Sequence, residues 1–566
     1  MNKKEKIVYS IRSINPSIMV MERNDGVCCI SGIVDDWNDA IKAGNIAYYS
    51  GLYSGVVNDI KLNGFIEAKM RLPYIADNAY DGLSCDVLVI GGGIIGCATI
   101  RELSKLDLKI ILVEKENDLA LHASSRNDGV VHVGIDIKKG QKKLDYVKRS
   151  NPMFDKLCED LDVDFKRTGQ YLLFKEGKLR FLLPFLRIRS NSHKIGKFHY
   201  YNKKKLLKLQ PNISDNVKFG INFYEAGIVC PYMLTIALAE NASQNGAQVL
   251  LNTAVTKMRV NNGIIESVFT NRGTIKPKIV INASGAFSDK IADMAEDRFF
   301  TIHPRKGTSF ITDKETTSTI INAQMAIYGD IKSDQKAHTK GGGLVPTVDG
   351  NILVGPNALE VPYREDTSVD ISDVNAVFDK HKVTAKGLSK SDIITYFSGI
   401  RACAYGEDFI VEKGRKTKNI IHIAGIQSPG LTAAPAIAED AVAMTKDELA
   451  LFGKTVTMKS NFNPIRTGVV KLAKLNLTER DEYIKNNPAY GEIVCRCEEI
   501  SKGEIIDALH STIMPQTVDG LKRRVRVGMG RCQGGFCQPK VLEIIHDELN
   551  IPYNEIAKKG NGKIIF

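Results

Sequence analysis

The chain is 566 residues long, 43% hydrophobic and 25% charged, an ordinary globular composition on a length that calls for more than one domain. Its net charge of +12 comes from 77 basic and 65 acidic residues, with lysine spread over surface-type segments such as KKKLLKLQ (203–210). No aromatic-interleaved basic groove and no DNA-binding motif accompanies that charge. Nucleic acid is therefore excluded as a partner, and at most a peripheral attraction to anionic lipid or an acidic partner is left. The N-terminus lacks a signal-type apolar core, and the longest apolar stretch, VLVIGGGIIGCATI (87–100), is too short and glycine-rich to span a membrane. A cytoplasmic location is expected, peripheral to a membrane only through a partner, with the 11 cysteines reduced. Clustered cysteines then point to metal, while Cys28, Cys29, Cys158 and Cys230 suit small buried apolar positions.

In chain order, residues 1–75 read as strand, strand, helix, strand: SIMVMER, GVCCISGIV, DDWNDAIKAGNIAYYSG and GVVNDIKLNGF. Asp35 and Asp36 suit the helix N-terminus. The pattern resembles the small αβ module called BON, which implies a binding or docking unit without catalysis. Residues 84–450 alternate strands and helices, 451–490 form a polar connector, and 491–566 carry two cysteine pairs.

CDVLVIGGGIIGCATIREL (85–103) is a strand, a glycine turn and a helix. Gly91 permits the tight turn, Gly93 lets the backbone approach a pyrophosphate, and Gly96 lets helix and strand pack closely. The phosphates would sit at the helix N-terminus, where free N–H groups favour anions. The next strand, KIILVEKE, ends in Glu114, an acid placed to accept hydrogen bonds from an adenosine ribose.

Three later segments extend the pattern. ALHASSRNDGVVHVGI (120–135) is a hydroxyl-rich loop with Ser124, Ser125 and Asn127. KIVINASGAFSDKIA (278–292) is a strand ending in small residues that include Ala283 and Gly285, then a helix. NIIHIAGIQSPGLTAAPAIAEDAV (419–442) brings Gly425, Gly430, Leu431 and Thr432 to a helix start that suits negative charge on a reduced flavin. In this order the segments resemble flavoproteins of the D-amino-acid-oxidase superfamily, which implies FAD. FAD-binding parts near 84–150, 225–300 and 395–450 and an antiparallel-sheet substrate part near 151–224 and 301–394 follow from that resemblance.

Within the superfamily, RNDGVVHVGI and GNILVGPNA resemble the L-2-hydroxyglutarate oxidase and dehydrogenase group, with Asp128 where a serine is usual. RNDGVVHVG and HPRKGTSFI resemble the catalytic subunit of the anaerobic glycerol-3-phosphate dehydrogenases, though AGIQSPGLTAAPAIA is nearer the first group. The resemblance implies that Arg401, following a strand in YFSGIRACA, anchors a carboxylate or phosphate, as a guanidinium fork can; the alternative is a surface arginine. His132, among Val130, Val131 and Val133, is either a satisfied core histidine or the base that takes a hydroxyl proton. Arg305 and Lys306 either polarise the flavin or substrate oxygen or belong to the basic surface.

Cys495 and Cys497 form C-x-C, and Cys532 and Cys537 form C-x4-C. Zinc pairs mostly begin C-x2–4-C, and neither common ferredoxin spacing is present. With ISKGEIIDALH, TVDGLKRRVRVGMG and QPKVLEIIHDEL around them, the four cysteines resemble the bacterioferritin-associated-ferredoxin module, a small helical domain, which implies [2Fe–2S] ligation. Gly528, Gly530, Gly534 and Gly535 suit loops that donate N–H groups to sulfur. The basic run KRRVR (522–526) suits either the docking of an acidic carrier or partner subunit, or a solvated helix face.

The expected fold is α/β: a Rossmann-like FAD domain, a substrate sheet, a small helical [2Fe–2S] domain and a small N-terminal αβ module. The expected activity is oxidation of a small anionic secondary alcohol, glycerol 3-phosphate or an L-2-hydroxy acid. Electrons would leave through the cluster to a protein or quinone acceptor. An amine or amino-acid dehydrogenase on the same fold and a non-enzymatic iron–sulfur scaffold are the alternatives.

Overall fold

A computed structural model describes residues 2–328 and 342–564. The N-terminal sheet has the expected elements: Met19–Glu22 runs antiparallel to Val27–Val34, which pairs in parallel with Gly55–Leu62 across the helix Trp37–Tyr49. Asp36 starts that helix by accepting the Asn38 N–H at 2.9 Å. A helix absent from the sequence reading, Lys3–Arg12, precedes the sheet and opens with a capping box between Asn2 and Glu5. The module is bound into the rest of the chain. Asn58 donates through its N–H to Thr301 Oγ1 at 2.9 Å and through Nδ2 to Tyr405 Oη at 2.8 Å, and Arg298 pairs with Asp59 at 2.8 Å.

The dinucleotide sheet centres on five parallel strands in the order Gln248–Leu250, Ile110–Val113, Leu83–Ile90, Gly273–Asn282 and Ile420–Ala424. Helices Ile94–Leu103, Pro231–Gln244 and Gly430–Leu451 pack together over it, sharing a core with Val87, Val89, Ile279 and Ile281. Strands covered in this way read as continuous apolar runs rather than alternating ones.

Among the described residues the substrate sheet has nine strands. It is antiparallel except for one parallel pair, Gln170–Phe174 with Gln324–Tyr328. Its longest strands, Ile302–Thr312 and Ile393–Ala404, pair along their length and set Arg305 opposite Arg401. Arg401 therefore lies within a strand rather than after one.

In the C-terminal module, helices Lys502–Leu509, Val518–Val525 and Gln538–Leu549 enclose Ile505, Leu521, Val541 and Ile545. Two short hairpins accompany them. The connector is anchored rather than loose: Arg466 pairs with Glu240 at 2.7 Å, and Lys471 pairs with Asp164. Both readings of KRRVR are corrected by the seam between module and dinucleotide domain. Arg524 clasps the buried Asp118 at 2.5 and 2.8 Å, Arg523 joins it at 2.6 Å, and Arg526 reaches Glu498 at 3.0 Å and Asp349 at 2.9 Å. The run is an internal clamp, neither a partner-docking patch nor a solvated face. Among the described residues, no helix is long and apolar enough to cross a membrane.

Candidate active site

A cleft of about 710 Å³ opens where the C-terminal ends of the parallel strands meet the substrate sheet, the position where open α/β sheets bind their ligands. Gly91 follows the strand Leu83–Ile90 with φ +114°, and a Cβ there would stand 2.5 Å from the Ala283 carbonyl oxygen. Gly93 is the N-cap of the helix Ile94–Leu103 and faces the cleft, where a Cβ would approach Ser124 Oγ to 3.1 Å. Gly96 lies behind, with its Cβ position 1.9 Å from the Gly91 oxygen, so only glycine allows this helix to meet its strand. Glu114 accepts the Gly92 N–H at 2.6 Å and the Glu116 N–H at 2.9 Å. Burial raises its pKa above the usual carboxylate value. This is a cradle with bare backbone, a helix N-terminus and an acid at its edge, and it fits a dinucleotide.

Ser124, Asn127, Ala283, Gly285, Gly430 and Leu431 also line the cleft. Ser124 Oγ accepts the Ile94 N–H at 2.9 Å, and Asn127 braces its loop by bonding Ala123 O and Gly129 N. Ser125, Gly425 and Thr432 stand behind the wall. Ser125 turns back to His122 O at 3.3 Å, and Gly425, at φ +66°, packs on Ala404. Thr432 Oγ1 accepts the His132 N–H at 3.0 Å and donates to Val130 O at 3.2 Å.

His132 and Arg401 both line the cleft. Arg401 Nη2 donates to Asn357 O at 2.9 Å, while Nη1 is buried and has no partner among the described residues. Burial lowers its pKa, which marks a cation short of an anion. Arg305 is elsewhere. It is buried behind the wall and bound to Glu360 at 2.5 Å and to Glu407 at 2.6 Å. Burial alone would raise the Glu407 pKa, yet Arg305 holds it below the usual range. Lys306, also buried, points to Asp366 at 2.9 Å and Ser368 at 3.1 Å. Neither is a surface residue and neither lines the cleft.

Sequence reading missed Lys143, Glu407, Gln427, Arg364 and Tyr49, all cleft-lining. Lys143 is buried, and that burial lowers its pKa. Tyr49 comes from the N-terminal module. Gln427 stands between Gly425 and Gly430 in the segment AGIQSPG and was legible there, whereas the other four sit in no glycine or cysteine motif and long-range packing alone brings them here. Arg126 was legible: it stands inside the hydroxyl-rich loop, lines the cleft and donates to Ser398 O at 2.9 Å.

In the C-terminal module the four cysteines come together as two pairs. Cys497 and Cys532 Sγ stand 3.7 Å apart. A hydrogen bond from Cys537 brings the Cys495 pKa down to about 6, and the Gly528 and Glu498 N–H groups pull the same way. The Gly528 N–H reaches Cys495 Sγ at 3.5 Å. Burial opposes ionisation of Cys532, but N–H groups of Phe536 and Gly534 bring its pKa down. Two thiolates per iron is what a two-iron cluster requires, whereas one zinc would gather all four at bonds of about 2.3 Å.

A doubly wound dinucleotide domain joined to a mostly antiparallel substrate sheet, with a four-cysteine helical module, defines a flavin- and iron–sulfur-dependent oxidoreductase. The comparisons agree: the chain belongs to the FAD dependent oxidoreductase family, matched over residues 86–444, and carries a BFD-like [2Fe-2S] binding domain over 493–547. FAD and a [2Fe–2S] cluster are its cofactors. The chain is 37% identical to a glycerol 3-phosphate dehydrogenase of Caloramator mitchellensis over 85% of its own length and 98% of that protein. It is 24% identical to one subunit of the anaerobic glycerol-3-phosphate dehydrogenase of Escherichia coli, over 81% of this chain and 87% of that one. The solved L-alpha-glycerophosphate oxidase of Mycoplasma pneumoniae, with FAD bound, superposes with a TM-score of 0.61 at 28% identity, covering 68% of this chain and 98% of that one. Neither family match reaches residues 1–75, so the BON resemblance gains no support.

Proposed function

We propose that this enzyme oxidises glycerol 3-phosphate and passes the electrons through its [2Fe–2S] cluster to a separate acceptor protein or partner subunit. The observation that carries the reading is Arg401, a partly buried guanidinium lining the cleft whose buried Nη1 has no partner among the described residues. Such a fork accepts a phosphate or carboxylate and gains most where water is excluded. The 37% identical relative, a glycerol 3-phosphate dehydrogenase, favours the phosphate ester over a 2-hydroxy acid. The cluster favours a dehydrogenase over an oxidase, because an enzyme that hands electrons to oxygen needs no one-electron exit.

Gly91, Gly93 and the N-terminus of Ile94–Leu103 would hold the FAD pyrophosphate, Glu114 its ribose, and the N-terminus of Gly430–Leu451 the edge of its flavin ring. Cys495, Cys497, Cys532 and Cys537 would hold the cluster. When bound, FAD accepts a hydride from the substrate carbon, and the cluster carries single electrons. The chain supplies the rest. Arg401 fixes the phosphate and so orients the secondary hydroxyl. His132, whose backbone is tied to Thr432 and Asn151, takes the hydroxyl proton on its imidazole. Arg305, through Glu407 and Gln427, stiffens the wall.

The test is anaerobic bleaching of the flavin by glycerol 3-phosphate, L-2-hydroxyglutarate, L-lactate and proline in parallel. Fast bleaching by glycerol 3-phosphate alone is expected, and preference for another of the four would overturn the substrate assignment.

A further inference from the structure

The cleft and the sulfurs are joined by a short line of bonded groups. Val130 lines the cleft and pairs across the small sheet with Ile228. Gly129 fixes that register, because a Cβ on it would lie 2.3 Å from the Val229 oxygen. The strand Gly227–Val229 leads through Cys230 into the helix Pro231–Gln244, whose second residue is Tyr232. Tyr232 Oη donates to Met529 Sδ at 3.6 Å. Met529 stands between Gly528, whose N–H meets Cys495 Sγ at 3.5 Å, and Gly530, whose Cβ position lies 2.3 Å from Cys497 Cβ. The contact crosses from the dinucleotide domain to the cysteine module and is clamped by Arg526, which bonds Glu498 of the module and Asp349 and Asn351 of the substrate sheet.

We propose that Tyr232 and Met529 form the electron crossing between the flavin site and the cluster. A polarisable thioether against the cluster loop and a hydrogen-bonded phenol behind it replace a gap with bonded contacts. Electrons move one at a time. Each leaves the reduced flavin and converts one ferric iron of the oxidised cluster to ferrous. The second follows once a one-electron acceptor protein has reoxidised the cluster, and the proton of the reduced flavin passes to water. Tyr232 and Met529 are positioning residues for this transfer, and the inference rests on the proposed redox chemistry.

The experiment uses the holoenzyme, anaerobic, with the flavin reduced by light in the absence of substrate. Cluster reduction is followed by its visible bleaching and by the paramagnetic signal of the reduced cluster, and the cluster potential is titrated separately. Tyr232→Leu and Met529→Ala are expected to slow cluster reduction about tenfold or more, with flavin photoreduction and cluster potential unchanged. Tyr232→Phe keeps the ring, removes only the hydroxyl contact and gives a smaller drop in the same direction, which serves if the larger truncations lose a cofactor. An unchanged transfer rate in variants retaining both cofactors, or a slower rate matched by a shifted potential, would overturn the proposal. Photoreduction keeps this outcome separate from the substrate reading: a wrong substrate leaves the transfer rate untouched and shows only as absent bleaching by glycerol 3-phosphate.

Discussion

The cleft and the seam beneath the cluster module both bury arginines, and they use them in opposite ways. At the seam, Arg524 faces Asp118 with two nitrogens, and Arg526 is divided among Glu498, Asp349 and Asn351. In the cleft, Arg401 has one neutral carbonyl and, among the described residues, no partner for Nη1, although its cross-strand neighbour Arg305 is tied to two glutamates. A buried cation balanced by carboxylates is part of the scaffold, because removing either partner strands the other charge. A cation with a buried nitrogen and no bonded carboxylate is costly until an anion arrives, which is the condition of a binding residue. Residue type does not separate the two cases; partners do.

Breaking each side of this contrast gives effects of decreasing size. Cys495→Ser removes one thiolate of the paired set, so the cluster's colour and iron content should be lost. Light should still reduce the flavin, which shows that the two sites assemble independently. On the cleft side, Gly91→Ala forces a Cβ against the Ala283 oxygen at a strained φ. The protein should purify with little FAD, measured by the flavin absorbance per chain. Arg401→Ala should lower kcat/KM for glycerol 3-phosphate about a hundredfold, as expected for charge-assisted bonds worth about 2–3 kcal/mol. Steady-state kinetics would show most of the loss in KM, and Arg401→Lys should restore only part because it lacks the fork. At the seam, Asp118→Asn keeps an acceptor oxygen but removes the charge that faces Arg524 and should cost about 2 kcal/mol of docking stability. Hydrogen exchange should then rise across residues 518–525 while the flavin spectrum holds.

The smallest effect is a pH dependence of the seam. Burial by itself would raise the Asp118 pKa, but Arg524 and Arg523 pull harder and leave it lowered. A lowered carboxyl contributes stability above its unfolded pKa of about 4 and loses it as pH falls through the folded value. Module docking should therefore be flat from neutrality to about pH 4 and weaken only in stronger acid, as hydrogen exchange across a pH series would show.

Much of this molecule was legible in the chain. The strand–glycine–helix segment, Glu114 and the four cysteines fell where the spacing predicted, and so did the N-terminal β–β–α–β order. Local rules govern these features: a turn needs φ > 0, a helix start needs a cap, and a ligand pair needs close residues. The helix Lys3–Arg12 was missed because its charged sequence carries only a weak apolar stripe, although Asn2 and Glu5 made a readable capping box.

The sequence by itself determined the dinucleotide turn and the two cysteine pairs, because glycine and cysteine motifs are short and their backbone demands are local, while FAD and the [2Fe–2S] cluster followed from the resemblance of longer segments to known families. Only the tertiary structure decided what each charged residue does. Arg305, Lys306 and the KRRVR run carry the same charge as Arg401, and whether such a group meets a carboxylate or an open cleft depends on segments tens to hundreds of residues away. Asp118 lies 406 positions from Arg524 in the chain and 2.5 Å from it in the fold. Burial then makes that distant pairing matter, since a charge removed from water must find its partner within the protein or in a ligand.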